Sequence, residues 1–299
     1  MVDVVLVSKS PRRRELLKQI VPVFEVVEPQ CSESLNKSLS PEECVLELSS
    51  AKLDSVKDAF CKEVILVSAD TVVEVDGEIM GKPKSLDEAK SMLSKLSGRE
   101  HRVFTGVCVS RGDALFSGVC KTCVLFKRLS QAEIDYYVDS VNVLDKAGAY
   151  AIQDRGELFV EEIRGSYSNV VGLPLNLTYR LMREAGFPLV RWVRLMDVAS
   201  VVRSKNAGPF ELTFDVMFKD EVAYRRFKEG GFITKRKFSS LYGIDEKDIL
   251  VFEYFDQAQA LKITVKRNPP SGDIRDRDIY GAQMHVPLMN YLIPWEEYG

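Results

Sequence analysis

Histidine is nearly absent. His101 and His285 are the only two in 299 residues, which excludes a metal centre built on several imidazoles. No apolar stretch comes near the ~20 residues that a helix needs to cross a bilayer. There is no charge excess either. The 41 Lys and Arg against 44 Asp and Glu leave a net charge of −3, which argues against a nucleic-acid coat and leaves room only for a local basic pocket. With 18 Gly and 12 Pro, the chain is neither collagen-like nor of low complexity. The opening MVDVVLVSKSPRRR carries its basic residues after the apolar stretch, the reverse of a secretory signal. The expectation is a soluble, cytoplasmic protein with neither membrane nor nucleic acid as partner.

What is present is an ordinary globular composition, 45% apolar and 28% charged. At ~150 residues per domain, this length predicts roughly two domains. Cys31, Cys44, Cys61, Cys108, Cys120 and Cys123 read as reduced thiols and not as a disulfide framework. Cys120 and Cys123 form a CxxC inside the strand-like GVCKTCVLFK. A thioredoxin-type pair would open a helix and a structural zinc site would need two further ligands, so both read as strand residues.

Residues 2–7 form a continuous apolar run, as in a strand buried on both faces. Ser8-Lys9-Ser10 ends it, and Pro11 sits where a helix prefers its first proline, predicting a helix over 12–20. A second strand is expected over 23–27, and a third over 64–69, followed by Asp70 and Thr71. Capping boxes at Ser40/Glu43, Ser85/Glu88 and Ser130/Glu133 open helices, the first running to about residue 60. Asp76-Gly77 predicts a hairpin between 72–75 and 78–80. Residues 102–110 and 114–127 predict a longer hairpin through Arg111-Gly112-Asp113, a turn and not an adhesion signal. An amphipathic helix over 174–185 closes the region at Gly186. Strands alternating with helices predict one α/β domain over 1–190.

Beyond it the pattern changes, with the boundary expected at 189–195. Strands are predicted over 210–218, 249–255 and 261–267, with helices from Asp220 to about 229 and over 234–242, giving a small α+β domain over 195–299. Residues 1–190 hold 24 basic and 28 acidic side chains, and residues 191–299 hold 17 and 16. No internal repeat is visible.

Candidate chemistry gathers in a few places along the first domain. Ser8-Lys9-Ser10-Pro11-Arg12-Arg13 puts hydroxyls and guanidinium groups at a helix start, which suits phosphate; the alternative is a solvated basic helix end. Asp70, expected at a strand's C-terminal end where α/β sheets gather ligands, can hold a hard cation or take a proton from water; the alternative is a turn-capping Asp. Gly81-Lys82-Pro83 places an ammonium on a constrained loop, and Lys52 and Glu33 are individually unremarkable. Asp145-Lys146-Ala147-Gly148-Ala149-Tyr150-Ala151-Ile152-Gln153 combines small residues, which admit close backbone approach, with an amide suited to a base edge. Gly165 to Pro174 reads as a helix-capping loop.

LVSKSPRRRELL, SADTVV, GKP, HRVFTGV, DKAGAYAIQ and IRGSYSNVVGLPL, in this order over residues 1–190, resemble the Maf, or septum-formation, family of nucleotide pyrophosphatases. The resemblance implies a two-lobed mixed α/β sheet with flanking helices and a central cleft, a cytoplasmic location and a homodimer. It implies hydrolysis of a nucleoside triphosphate to monophosphate and pyrophosphate with a divalent cation, Mg²⁺ or Mn²⁺. Asp70 matches the proton acceptor, and Glu33 with Asp70 would hold the metal. Ser8, Ser10, Arg12, Arg13, Lys52, Thr71, Lys82, Lys146 and Gln153 are the residues expected to bind substrate. Arg12, Thr71 and Gln153 match positions tied to base selection, and the last two look like the branch acting on dTTP and UTP. The chain departs from the pattern at Gln30-Cys31-Ser32-Glu33, where only Glu33 is acidic, and at Asp154, where a small Gly is commoner.

Residues 195–299 resemble a small uncharacterised domain family sometimes linked with acyclic-terpene-utilisation proteins. Arg203, Lys205 and Asn206 read as a basic helix end, with an anion-binding turn as the alternative; Asp276, Asp278 and His285 read as a surface loop and not a metal site. The competing function is a non-catalytic nucleotide-binding regulator of cell division acting through this second domain.

Overall fold

In the computed structural model the described residues are 3–31, 36 and 38–297, in two compact units that divide between Pro188 and Leu189. The first is mixed α/β. Its strands are β1 (Val4–Val7), β2 (Glu25–Val27), β3 (Ile65–Val75), β4 (Glu78–Met80), β5 (Glu100–Arg111), β6 (Ala114–Phe126) and β7 (Val160–Arg164). Its helices are α1 (Pro11–Leu17), α2 (Pro41–Asp54), α3 (Leu86–Leu96), α4 (Gln131–Ser140), α5 (Tyr167–Val171) and α6 (Leu175–Glu184). The sheet runs β2-β1-β3-β5-β6-β7, with β4 also on β3. β1 is parallel to β2 and β3, and the other pairings are antiparallel.

The strand expected to stop before Asp70 does not stop. β3 runs through it for 11 residues, because β5 pairs with it continuously from Ile65↔Arg111 to Glu74↔Arg102. Its other edge is divided. β1 pairs with Val4↔Ile65 to Val7↔Ser68, and β4 begins only at Val73↔Met80. Asp70 and Thr71 therefore occupy a gap in the ladder. Separate apolar clusters flank this gap. Val5, Val7, Leu53, Val56 and Leu66 pack on one side, and Val73, Val75, Met80, Leu93, Leu96 and Tyr137 on the other. One long strand thus joins two lobes, with two polar residues between their cores.

Local signals place the helices. Ser40 and Ser130 make full capping boxes with Glu43 and Glu133. Ser85 makes only half of one, since Glu88 accepts from the Lys84 amide at 2.6 Å. α2 ends at Asp54, short of the expected residue 60, where Ser55 Oγ donates to the Lys52 carbonyl at 2.7 Å. α1 is likewise shorter than expected. Asp76 and Gly77 turn with φ of 52° and 81°, as the hairpin requires.

The second unit contains β8 (Val190–Arg194), α7 (Leu195–Val198), β9 (Ala199–Asn206), β10 (Glu211–Phe218), α8 (Glu221–Gly230), α9 (Lys235–Tyr242), β11 (Ile249–Phe255), β12 (Ala260–Lys266), α10 (Val286–Met289) and β13 (Leu292–Glu297). A four-stranded antiparallel sheet, β11-β12-β10-β9, buries Leu212, Phe214, Val216 and Phe218 against Phe227 and Phe238. Arg203, Lys205 and Asn206 are neither a helix end nor a turn. They lie on β9, where Arg203 and Lys205 both pair with Asp215, at 2.9 and 3.1 Å. Asp276 is taken up by the buried Arg267 at 2.8 Å, Asp278 by the Ala282 and Gln283 amides, and His285 by Ser204.

Candidate active site

The cleft between the two lobes has a volume of about 830 Å³. Asp70 enters its wall because α2 lies close against β3 and β5. Gly106, opposite Asp70 in the register, makes that approach possible, since a Cβ there would stand 2.5 Å from the Val45 carbonyl oxygen. Ser68 Oγ donates to the Ser49 carbonyl at 2.7 Å and fixes the same contact. Val45, Ser49 and Lys52 follow one another at helical spacing on this face. The result is that Lys52, 3% exposed, donates through Nζ to Asp70 Oδ1. A buried ammonium needs a carboxylate partner, and a carboxylate beside it stays oriented.

On β3, Thr71 points to the opposite face from Asp70. Arg13 Nη2 donates to its hydroxyl at 3.0 Å, and Arg13 Nε donates to the Gly172 carbonyl at 2.8 Å. Thr71 Oγ1 also lies 2.9 Å from Thr105 Oγ1. The chain continues inward: Thr105 donates to the Asn169 carbonyl, and Asn169 Nδ2 donates to the Val103 carbonyl and to Thr122 Oγ1, at 3.0 and 2.9 Å. GSYSN, read from sequence as a helix cap, therefore also supports the floor beneath Arg13. Asn169 was missed because a fully buried amide looks the same in sequence as a solvated one.

Ser8 and Ser10 hold the start of α1, Ser8 accepting from the Ser10 amide at 3.1 Å and Ser10 from the Arg13 amide at 3.4 Å. The two arginines separate there. Arg13 turns to Thr71, while Arg12 reaches Asp145 at 3.6 Å. Lys146, buried, pairs with Asp145 at 2.8 Å and Asp154 at 3.4 Å. Burial opposes the Asp145 charge, but Lys146 and Arg12 outweigh it and hold the carboxyl below its ordinary range. Gly148, at φ 68°, lets this segment close on Val73 and donates to the Gly81 carbonyl at 3.0 Å, so the loops carrying Lys146 and Lys82 are joined. Gln153 and Lys82 are exposed in the cleft wall.

Ser8, Ser10, Arg12, Arg13, Lys52, Asp70, Thr71, Lys82, Lys146 and Gln153 all line this one cleft. Glu33 lies outside the described residues. Sequence reading did not assign to the cleft Glu78 on β4, Lys84 in the loop that follows it, or Lys95 on α3, and it took Glu88 only as a helix-capping partner; all four line the same wall. Eight Lys and Arg face four Asp and Glu along the lining, an arrangement suited to a ligand with several negative charges. Among the described residues no three His, Cys, Asp or Glu come together as a metal group, and no helix is long and apolar enough to cross a membrane.

A mixed sheet opened by a cationic cleft, with one carboxylate held at the break, defines the class as an α/β protein whose cleft is suited to a polyanion. The chain belongs to the Maf-like protein family, whose model matches residues 3–185. A second model, described as a domain of unknown function (DUF4387), matches residues 195–292. A dTTP/UTP pyrophosphatase of Carboxydothermus hydrogenoformans is 48% identical over 186 residues, covering 61% of this chain and 98% of its own. One of Thermotoga maritima is 45% identical over 185 residues, covering 62% and 90%. The solved Staphylococcus aureus Ham1 protein is similar over 61% of this chain and 98% of its own, at 18% identity and a TM-score of 0.37.

Proposed function

We propose that this protein hydrolyses nucleoside triphosphates, dTTP and UTP foremost, to the monophosphate and pyrophosphate. The observation that carries the reading is Asp70, gripped by Lys52 at the break in the β-ladder and facing a cleft with twice as many cations as anions. The relatives' printed activity supports the same chemistry. Residues 1–190 form the catalytic domain in this reading, and residues 195–299 an accessory one.

A triphosphate brings roughly three to four negative charges, which the cleft's cations offset. Water attacks the α-phosphorus, the α–β anhydride bond breaks, and Asp70 takes the water's proton. Arg13 and Lys82 steady the phosphates and the departing pyrophosphate, so positioning and electrostatics supply most of the acceleration. In this reading Asp70, together with Glu33, which lies outside the described residues, would hold a divalent cation, Mg²⁺ or Mn²⁺, which commonly takes one or two carboxylates together with substrate phosphates and water. Bound there, it would neutralise charge developing on the phosphates. The same reading makes the protein a cytoplasmic homodimer.

Pyrophosphate release measured with dTTP, UTP, CTP and methylated GTP, with and without divalent metal, tests this. Turnover should be fastest with dTTP and UTP and should require metal. Asp70→Asn should keep nucleotide affinity and lose turnover by about two to four orders of magnitude. Near-normal release from that variant would overturn the role of Asp70, and a preference for methylated GTP would overturn the base assignment.

A further inference from the structure

The cleft holds a second group of ion pairs that the hydrolytic step does not use. Arg12 Nη1 stands 3.6 Å from Asp145 and 4.0 Å from Asp154, and Lys146 Nζ stands 2.8 Å from Asp145 and 3.4 Å from Asp154. Arg12, Lys146, Asp145 and Gln153 belong to the cleft lining, whereas Asp154 does not. Asp154 backs two cations drawn from segments far apart in the chain. A local turn presents its carboxylate: the Asp154 and Gly156 amides both donate to the Ala151 carbonyl at 3.0 Å.

The chemistry of the two cations follows from this arrangement. Guanidinium and ammonium groups donate and never accept. Among the described residues both ion pairs of Arg12 fall on Nη1, one of the three nitrogens of its guanidinium fork. Gln153, next in the chain to Asp154, adds a group that both donates and accepts. Lys146, whose Nζ also donates to the Asn142 carbonyl, is taken up by protein acceptors, so Arg12 and Gln153 are the pair that match a ring edge with carbonyl oxygens flanking one N–H, as in uracil and thymine. Cytosine puts an amine where one of those oxygens would be, so a donor would meet a donor, and a site built on such bonds penalises that mismatch.

We infer that Asp154 is a positioning residue for base selection, holding Arg12 and Lys146 beside Gln153 so that the cleft takes a pyrimidine with two ring carbonyls in preference to an aminopyrimidine. The inference rests on the nucleotide-hydrolysis reading above. Its test is kcat and KM for UTP and CTP in the full-length protein and in Asp154→Asn, Asp154→Ala and Asp154→Glu. In the Asn and Ala variants the UTP/CTP ratio of kcat/KM should fall about tenfold, mainly through KM for UTP, with kcat for UTP within about threefold. Asp154→Glu, which keeps the charge, should restore much of the ratio. The isosteric Asn variant guards against a result that reflects misfolding. An unchanged ratio in Asp154→Asn, or a parallel fall for both nucleotides carried by kcat, would overturn the inference while leaving the hydrolase reading intact. Absence of turnover by the wild-type protein with every nucleotide would overturn both.

Discussion

Behind the cleft, His101 is 1% exposed and shares a 2.8 Å hydrogen bond through Nε2 with the Tyr150 hydroxyl, its ring edge-on to Phe126 and Tyr150. Burial pulls its pKa from 6.5 down to about 4, against a smaller opposing effect from the backbone at Arg99. Between those two values the unfolded chain binds the extra proton, so stability falls as pH drops from 6.5 toward 4 and levels off below. The full loss is on the order of 3 kcal/mol. Urea midpoints at pH 7.5, 6 and 5 should show it. His101→Gln should be less stable at pH 7.5 but should lose less over the same interval. Equal slopes would place the acid sensitivity in other groups. His101 was legible only as part of HRVFTGV; its burial depends on Phe126 and Tyr150, which the fold brings from elsewhere. Asp70 stood out by its setting between strand-like runs, whereas Lys52 looked like any helix lysine, because only the packing of α2 on the sheet makes it a buried partner.

Among the elements, those fixed by short-range chemistry were readable and those fixed by partners were not. Serine caps, the Asp76-Gly77 turn and the β5–β6 hairpin are decided within a few residues. The unbroken β3 was not readable, because its continuity is imposed by β5 and its interruption by the separate reach of β1 and β4. β8 and β13 pair across about one hundred residues of chain, and neither segment announces the other. Gly106 ties this level to the site. Gly106→Ala would set a methyl against the Val45 carbonyl, so α2 must lift from the sheet. The expected cost is about 1–3 kcal/mol, read as a lower denaturant midpoint. Pyrophosphate release should fall in the same variant because Lys52 leaves Asp70. A variant that keeps wild-type stability and turnover would show that the close approach of α2 does not set the site.

At the scale of the whole chain, the cleft and the second sheet draw on different cores. The clusters around β3 use residues of the first unit, and the cluster around Phe214, Phe227 and Phe238 uses residues 195–293. Every residue lining the cleft lies in the first unit. The near-neutral net charge conceals this division of labour, because the excess of cations is local to the cleft and the rest of the surface offsets it. Phe227, on α8, is fully buried against the second sheet, so truncating it leaves a cavity in that core. Phe227→Ala should therefore destabilise the second unit by about 3–5 kcal/mol. Limited proteolysis should then cut preferentially within residues 195–297. Pyrophosphate release at 25 °C should stay within about twofold of wild type, since the substitution touches neither the ladder around Asp70 nor the helix carrying Lys52. A large fall in turnover with the first unit still protease-resistant would mean that the accessory unit supports the cleft in solution, and that residues 1–190 do not suffice for catalysis.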